Sequence, residues 1–433
     1  MARRVLVIQV AGLGQEFLEQ WNGSERWCGL RFRPAASVFP AVTCPVQASL
    51  RTGSPPSSHG MMLNGAYSRE LRRPFFWEQS SALVEGRRIW EALRASGRRV
   101  GMLFWQQSLG EAVDVLLSPA PIHKHGGGMV DAVYSRPAGL YAELTKRVGR
   151  RFKLSSYWGP LASAASSRWI AEATAQLVGM PDLAPDLLLT YLPHLDYALL
   201  RHGPGSAAAA RALAELADIL QPLLAAARDA GYAVLVLGDY AFADVDTPLY
   251  PNRLLLEQGL LKVRDVRGRL YPDYHYTRAF AVADHELAHV YVQDPAALAP
   301  AAEAFRLMHG VAEVLVGTAL AQRGLAHRHA ADIVLVAGQG AWFAYPWWER
   351  RAQRPDYATH VDIHNKPGFD PCELFFGWPP PFAVSSDPTR IKGSHGRVGQ
   401  GREVAWAATW ELGEQPSGLI ELAGAVKNVM RET

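Results

Sequence analysis

The sequence predicts an α/β fold: a mostly parallel central sheet with helices on both faces and an inserted cap. Three observations lead there. Short apolar runs rich in branched residues alternate with helix-length segments. The runs are apolar throughout rather than alternating, as in strands covered on both faces. The chain has 433 residues, 49% apolar and 20% charged. That exceeds the size at which a single core stops growing, so one large core with an insertion fits ordinary globular composition.

The elements follow in order. Residues 5–10 are apolar except for Gln9 and read as a buried first strand, after which Gly12 and Gly14 let the chain turn. Residues 86–97 predict a helix with Ile89, Trp90 and Leu93 on one side, followed by a strand over 100–105. A second buried strand is expected over 186–192 and a third over 233–237. Between them, 207–230 is an alanine-rich helix with Ser206 as its N-cap. Pro222 inside it predicts a kink or a break. The glycines at 126–128, Pro137 and the aromatic stretch 157–160 interrupt the pattern, so a cap or lid is expected within 65–180. A small α+β subdomain is expected over 250–360, with a strand at 279–292, a helix at 300–316 and a strand at 332–336. Ligands of such sheets sit at the carboxyl ends of the strands. The loops 10–13, 193–201 and 238–242 are therefore the functional candidates.

Composition excludes several classes. With 44 basic against 41 acidic residues the net charge is +3, which gives no reason to expect a nucleic acid polymer as partner. The three cysteines, Cys28, Cys44 and Cys372, form neither a disulfide framework nor a thiolate metal motif, so a reducing, cytoplasmic location is expected. Cys44 reads as a small buried packing residue rather than a reactive thiol. The basic, then apolar, residues 1–14 read as a first strand rather than a signal peptide. No apolar run reaches the roughly 18 residues that a membrane span needs. Oligomeric state leaves no mark in the sequence.

Residues 39–53, Phe-Pro-Ala-Val-Thr-Cys-Pro-Val-Gln-Ala-Ser-Leu-Arg-Thr-Gly, carry the most information. Pro45 suits the first turn of a helix, which puts Thr43 at or just before its N-terminus, where unpaired N–H groups favour an anion. A threonine there is ordinarily only a cap. The segment as a whole, continued by Pro55, Pro56, His59, Gly60 and Asn64, resembles the nucleophile motif of the type I phosphodiesterase/nucleotide pyrophosphatase family of the alkaline phosphatase superfamily. The resemblance implies an alkaline-phosphatase-like α/β/α sandwich. It implies that Thr43 attacks phosphorus and that Asn64 donates a hydrogen bond to a phosphoryl oxygen. The plain reading of Asn64 is a turn residue before Gly65.

The same resemblance implies two divalent ions, usually zinc, held by six Asp and His side chains. This chain keeps half of them. Ala11 stands where the first strand should end in Asp. Asp196 and the following Gly203-Pro204 are kept, but the His four residues after the Asp is Leu200. Asp239 is kept and Tyr240 replaces the next His. The closing Gly-x-His-Gly motif supplies His395. Asp196, Asp239 and His395 suit one ion or none rather than two zinc ions. His194 and His202 are possible substitute ligands, and Tyr240 is a ligand, an acid or a space-filler. Residues 283–291 and 362–371 look like stretches of phosphonoacetate-hydrolase-like members. His285, His289, His360 and Asp362 read as structural there, and His364 as a possible second-shell group.

The expected function is hydrolysis or transfer at a phosphodiester, pyrophosphate or phosphonate bond of a small substrate, with Thr43 as nucleophile. Two alternatives stand beside it. One is an inactive relative that binds a phosphorylated ligand or a protein. The other is an enzyme that runs non-phosphorus chemistry in the same pocket.

Overall fold

The computed structural model describes residues 4–125, 128–381, 383–412 and 415–431, so Gly126 and Gly127 of the expected cap lie outside it. The chain opens with β1 (Arg4–Val10), buried at every position but the first. A short strand β2 (Arg33–Ala35) and the helix α1 (Thr43–Thr52) follow. Then come β3 (Val100–Leu103), β4 (Val115–Pro119) and β5 (Val133–Arg136). The helix α2 (Ala164–Val178) leads to β6 (Leu187–Leu192), α3 (His194–His202), α4 (Ala207–Asp229) and β7 (Tyr232–Gly238). Four strands form a second sheet: β8 (Ala279–Asp284), β9 (Leu287–Val292), β10 (Val311–Val316) and β11 (Ile333–Ala337). The chain closes with β12 (Val404–Ala408) and α5 (Leu419–Val429).

The main sheet has the order β5-β4-β3-β6-β1-β7-β12-β2. The pairs β4–β3, β3–β6, β6–β1 and β1–β7 are parallel, and the outer pairs are antiparallel. β1 lies between β6 and β7, with Val10 opposite Leu192 and Gly238. The three functional loops named from sequence therefore leave one edge of the sheet side by side. The aliphatic side chains that fill these central strands each contribute about 1.5–3 kcal/mol by leaving water.

Four expectations are corrected. The helix expected over 86–97 is confined to Glu91–Ala95. α4 runs unbroken through Pro222, with Ser206 Oγ accepting from Ala209 N at 3.1 Å as its cap. Pro222 is solvent-exposed, where water can satisfy the carbonyl it frees. The single strand expected at 279–292 is a hairpin, β8 and β9 joined by His285-Glu286. No Gly, Asn or Pro marks that turn in the sequence. The helix expected at 300–316 ends at Arg306 and β10 begins at Val311. Within 65–180, β3 matches the strand expected at 100–105, and β4 and β5 also join the main sheet.

The second sheet has the order β8-β9-β11-β10, all antiparallel, and lies within 250–360. Its buried residues belong to the same continuous core as the main sheet. No helix among the described residues is long and apolar enough to cross a membrane.

Candidate active site

Thr43 is the first residue of α1 and almost wholly buried, with an extended Val42 before it. Its Oγ1 lies 3.3 Å from the Tyr240 hydroxyl. Tyr240 in turn donates to Asp196 Oδ1 at 2.9 Å. A carboxylate only accepts, so Tyr240 spends its proton on Asp196 and Thr43 donates to the phenol oxygen. Three loops from three strands thus meet in one hydrogen-bonded chain. Burial pushes the Asp196 carboxyl up to about 7, although the Tyr240 bond pulls the other way.

The chain lies at the floor of a cavity of about 160 Å³, close to the size that encloses a benzene ring. Its walls are aromatic: Trp77, Phe104, Trp105, Tyr157, Trp158 and Phe369, among others. Pro121, His123 and Met129, from the segment after β4, also line it, as do Asp362 and His364. Among the described lining residues there is no Lys or Arg. Arg51 secures one wall from behind. Fully buried, it donates to Gln107 O at 2.7 Å and to Gln106 O, and lies 3.6 Å from Glu111.

Four rings form a column beside the floor. Tyr240 lies flat on His395 at 3.4 Å between centroids, His395 meets His285 at 3.8 Å with a tilt of 37°, and His285 stacks on Phe369 at 3.7 Å. His285 Nδ1 bonds Asp284 Oδ1 at 2.7 Å. It occupies φ 63°, a left-handed conformation costly for a bulky residue. The stack and the Asp284 bond hold it there, and it lines the cavity. Sequence reasoning placed His285 among structural histidines; the absence of a turn signal hid the hairpin that presents it.

The remaining sequence candidates fall into place as follows. Asn64 is wholly buried and does not line the cavity. Its Oδ1 accepts from Cys44 N at 2.9 Å, and its Nδ2 and N donate to Asp284 at 3.0 and 2.7 Å. It therefore ties α1 to β8. Asp239 accepts from Gly12 N and Tyr240 N through Oδ1 and from Gln9 Nε2 through Oδ2, at 2.9, 2.9 and 3.1 Å. Gln9, a lone polar residue in a buried strand, was the missed signal for that anchor. His395 donates from Nδ1 to Ala41 O at 2.8 Å, which leaves Nε2 as a lone pair 3.9 Å from Asp196 Oδ1. His194 packs under α4, bonding Ala212 O at 3.2 Å, and His202 is exposed; neither lines the cavity. His364 bonds Phe76 O at 3.2 Å. Cys44 is a packed thiol: Gln107 Nε2 donates to it at 2.9 Å, and burial pushes its pKa upward.

A metal ion does not fit this donor set. The buried Nε2 of His395 has no hydrogen-bond partner, as a ligand nitrogen would, and Asp196 Oδ1 lies 3.9 Å from it. Asp239 has both oxygens turned to fixed N–H donors, and Ala11 and Leu200 offer none. The Asp196 Oδ1 near that Nε2 already accepts from the Tyr240 hydroxyl. Three protein ligands are the ordinary minimum for zinc. Asp196, Asp239 and His395 lie near one another, with both Asp239 oxygens bonded to Gly12 N, Tyr240 N and Gln9 Nε2. Among the described residues, the one group of His, Cys, Asp or Glu close enough to hold an ion is Glu85, His327 and His329, outside the cavity lining. Arg328 already bonds Glu85 there at 2.8 Å.

This arrangement, a threonine-led helix, parallel strands and a flanking sheet, is that of the alkaline-phosphatase-like phosphodiesterase folds. The family model for type I phosphodiesterase/nucleotide pyrophosphatase matches residues 5–370, and the chain belongs to that family of hydrolases. The fold is similar to phosphonoacetate hydrolase from Sinorhizobium meliloti 1021 bound to phosphonoformate: TM-score 0.64, 17% identity, 99% of this chain and 96% of that one. It is also similar to murine ectonucleotide pyrophosphatase/phosphodiesterase 5 bound to AMP: TM-score 0.61, 13% identity, 100% and 96% covered. Ectonucleotide pyrophosphatase/phosphodiesterase family member 3 of Bos taurus is 26% identical over 114 residues, 24% of this chain and 13% of that protein.

Proposed function

We propose that the chain hydrolyses a phosphodiester, pyrophosphate or phosphonate linkage in a small substrate, with Thr43 as the nucleophile. One observation carries the reading: the Thr43 hydroxyl starts a helix on the cavity floor and is hydrogen-bonded through Tyr240 to Asp196. In the first step Thr43 Oγ1 bonds to phosphorus and the leaving group departs with its electron pair. The threonine proton moves to Tyr240 as the phenol proton moves to Asp196, the leaving group takes a proton from solvent water, and Asp196 returns its proton through Tyr240 when Thr43 is released. Water then displaces the phosphoryl group from Thr43 and restores the hydroxyl. The positive end of α1 favours the phosphoryl oxygens. The aromatic walls take the apolar part of the substrate. Asn64 acts at one remove by holding Cys44 N and Asp284. Three free cysteines fit a reducing compartment, the cytoplasm.

The test is turnover of a chromogenic phosphodiester by the wild type and Thr43→Ala, with mass spectrometry for a phosphothreonine peptide. A loss of ~10³-fold or more is expected for the variant. Equal turnover by the two proteins refutes Thr43 as nucleophile.

The lack of Lys or Arg among the described lining residues favours a second reading, in which the same hydroxyl attacks an uncharged ester. Faster turnover of a chromogenic carboxylic ester than of the diester supports it. Binding of either compound without turnover supports an inactive binding scaffold.

A further inference from the structure

Tyr240 stands where the family resemblance implies a metal-binding His. Its ring covers His395 face to face at 3.4 Å, inclined by 1°. Its hydroxyl bridges the nucleophile and the carboxylate, 3.3 Å from Thr43 and 2.9 Å from Asp196. A metal ion in such a place does two things to a hydroxyl nucleophile: it orients the oxygen and stabilises the charge left as the proton departs. A phenol held between a threonine and a carboxylate can do the first by accepting a hydrogen bond. It does the second by passing a proton on to the carboxylate. The surroundings fit this exchange. Ala11 and Leu200 are apolar where a cation would need donors. Asp239, next to Tyr240 in the chain, is turned inward to hold Gly12 N, Gln9 and the Tyr240 N–H. It fixes the backbone that carries the phenol.

We propose that Tyr240 is a catalytic residue of this chain, and that its phenol replaces the metal ion so that the site works without one. The relay is balanced: Thr43 loses one proton as its oxygen bonds to the substrate, Tyr240 accepts that proton and gives up its own, and Asp196 ends protonated. The kinetic part of the proposal rests on Thr43 being the nucleophile. The metal part does not.

Two measurements test it on the full-length protein. The first is zinc content after dialysis against zinc and then buffer, with the melting temperature recorded with and without the ion. The wild type is expected to retain substoichiometric zinc and to show no zinc-dependent rise. The triple variant Ala11→Asp, Leu200→His, Tyr240→His is expected to retain zinc and to melt higher in its presence. One equivalent of zinc on the wild type, stripped by chelator with a fall in melting temperature and lost in Asp196→Asn, overturns the inference. The second is Tyr240→Phe, which keeps the ring on His395 and removes only the bridging hydroxyl. With a substrate the wild type turns over, kcat is expected to fall ~10²-fold or more with KM little changed and zinc still absent. An unchanged kcat overturns the catalytic role. A wild type that is zinc-free but turns over no phosphorus compound sinks the nucleophile reading and the relay together, while its zinc content upholds the metal part.

Discussion

At the scale of single residues the site is built from buried polar groups under tension with their surroundings. Asp196 is nine-tenths buried, accepts from Tyr240, and its carboxyl is raised from 3.8 to about 7 by burial. A carboxyl whose pKa rises on folding binds its proton more tightly in the native state. Its cost to stability is therefore absent below pH 3.8, grows as pH rises and is complete above about 7. Asp196→Asn keeps the acceptor for Tyr240 and removes the charge. We expect it to abolish turnover while melting higher than the wild type at pH 8, by up to about 4 kcal/mol of stability. The two proteins should converge near pH 4, by calorimetry at both pH values. A variant equally destabilised at both would show that Asp196 is not held against its charge. Gln9 and Asn64 belong to this scale too. Both were visible in the sequence as polar residues in apolar or turn settings. Neither revealed its partner, Asp239 or Asp284, because those lie more than two hundred residues away along the chain.

At the scale of elements, the cavity wall contributed by 361–373 depends on a buried ion triad. Lys366 Nζ lies 2.7 Å from Asp370 Oδ2 and 2.6 Å from Glu373 Oε1. Glu373 also accepts from Asp362 N and from the Trp158 indole at 2.9 and 2.5 Å, so the triad joins two cavity walls. Its two carboxylates hold the Lys366 ammonium charged, against the effect of burial. Lys366→Met leaves both carboxylates buried and unpaired. A loss of about 3–5 kcal/mol in urea denaturation is expected, with KM rising more than kcat falls. Stability within about 1 kcal/mol of the wild type would show that the pair is exposed to solvent relief. The β8–β9 hairpin is the second such element. Its turn places His285 at a backbone angle usually reserved for glycine, and the ring stack with Phe369 and His395 compensates.

At the scale of the whole molecule, the two sheets share one continuous core, and Asn64, Asp284 and the ring stack cross between them at the site. We expect both sheets to unfold together. Thermal melts followed by tryptophan fluorescence and by far-ultraviolet dichroism should give coincident midpoints. Two separated transitions would show that the residues of 250–360 fold on their own and that the site sits at a loose joint.

The alternation of buried strands and helices and the strand positions around 5, 187 and 233 follow from sequence pattern, while the gathering of residues 43, 196, 239 and 395 was implied by the family resemblance. Local apolar periodicity decides which segments become strands, and parallel topology then sends the loops after β1, β6 and β7 to the same side. The family was legible in the nucleophile motif. Tertiary structure alone decided what those residues do to one another. It turned Asp239 inward, placed the Tyr240 phenol between Thr43 and Asp196, and raised His285 on an unmarked turn. Each of these depends on contacts between residues far apart in sequence, where the direction of a side chain is set by packing and hydrogen bonding rather than by neighbours along the chain.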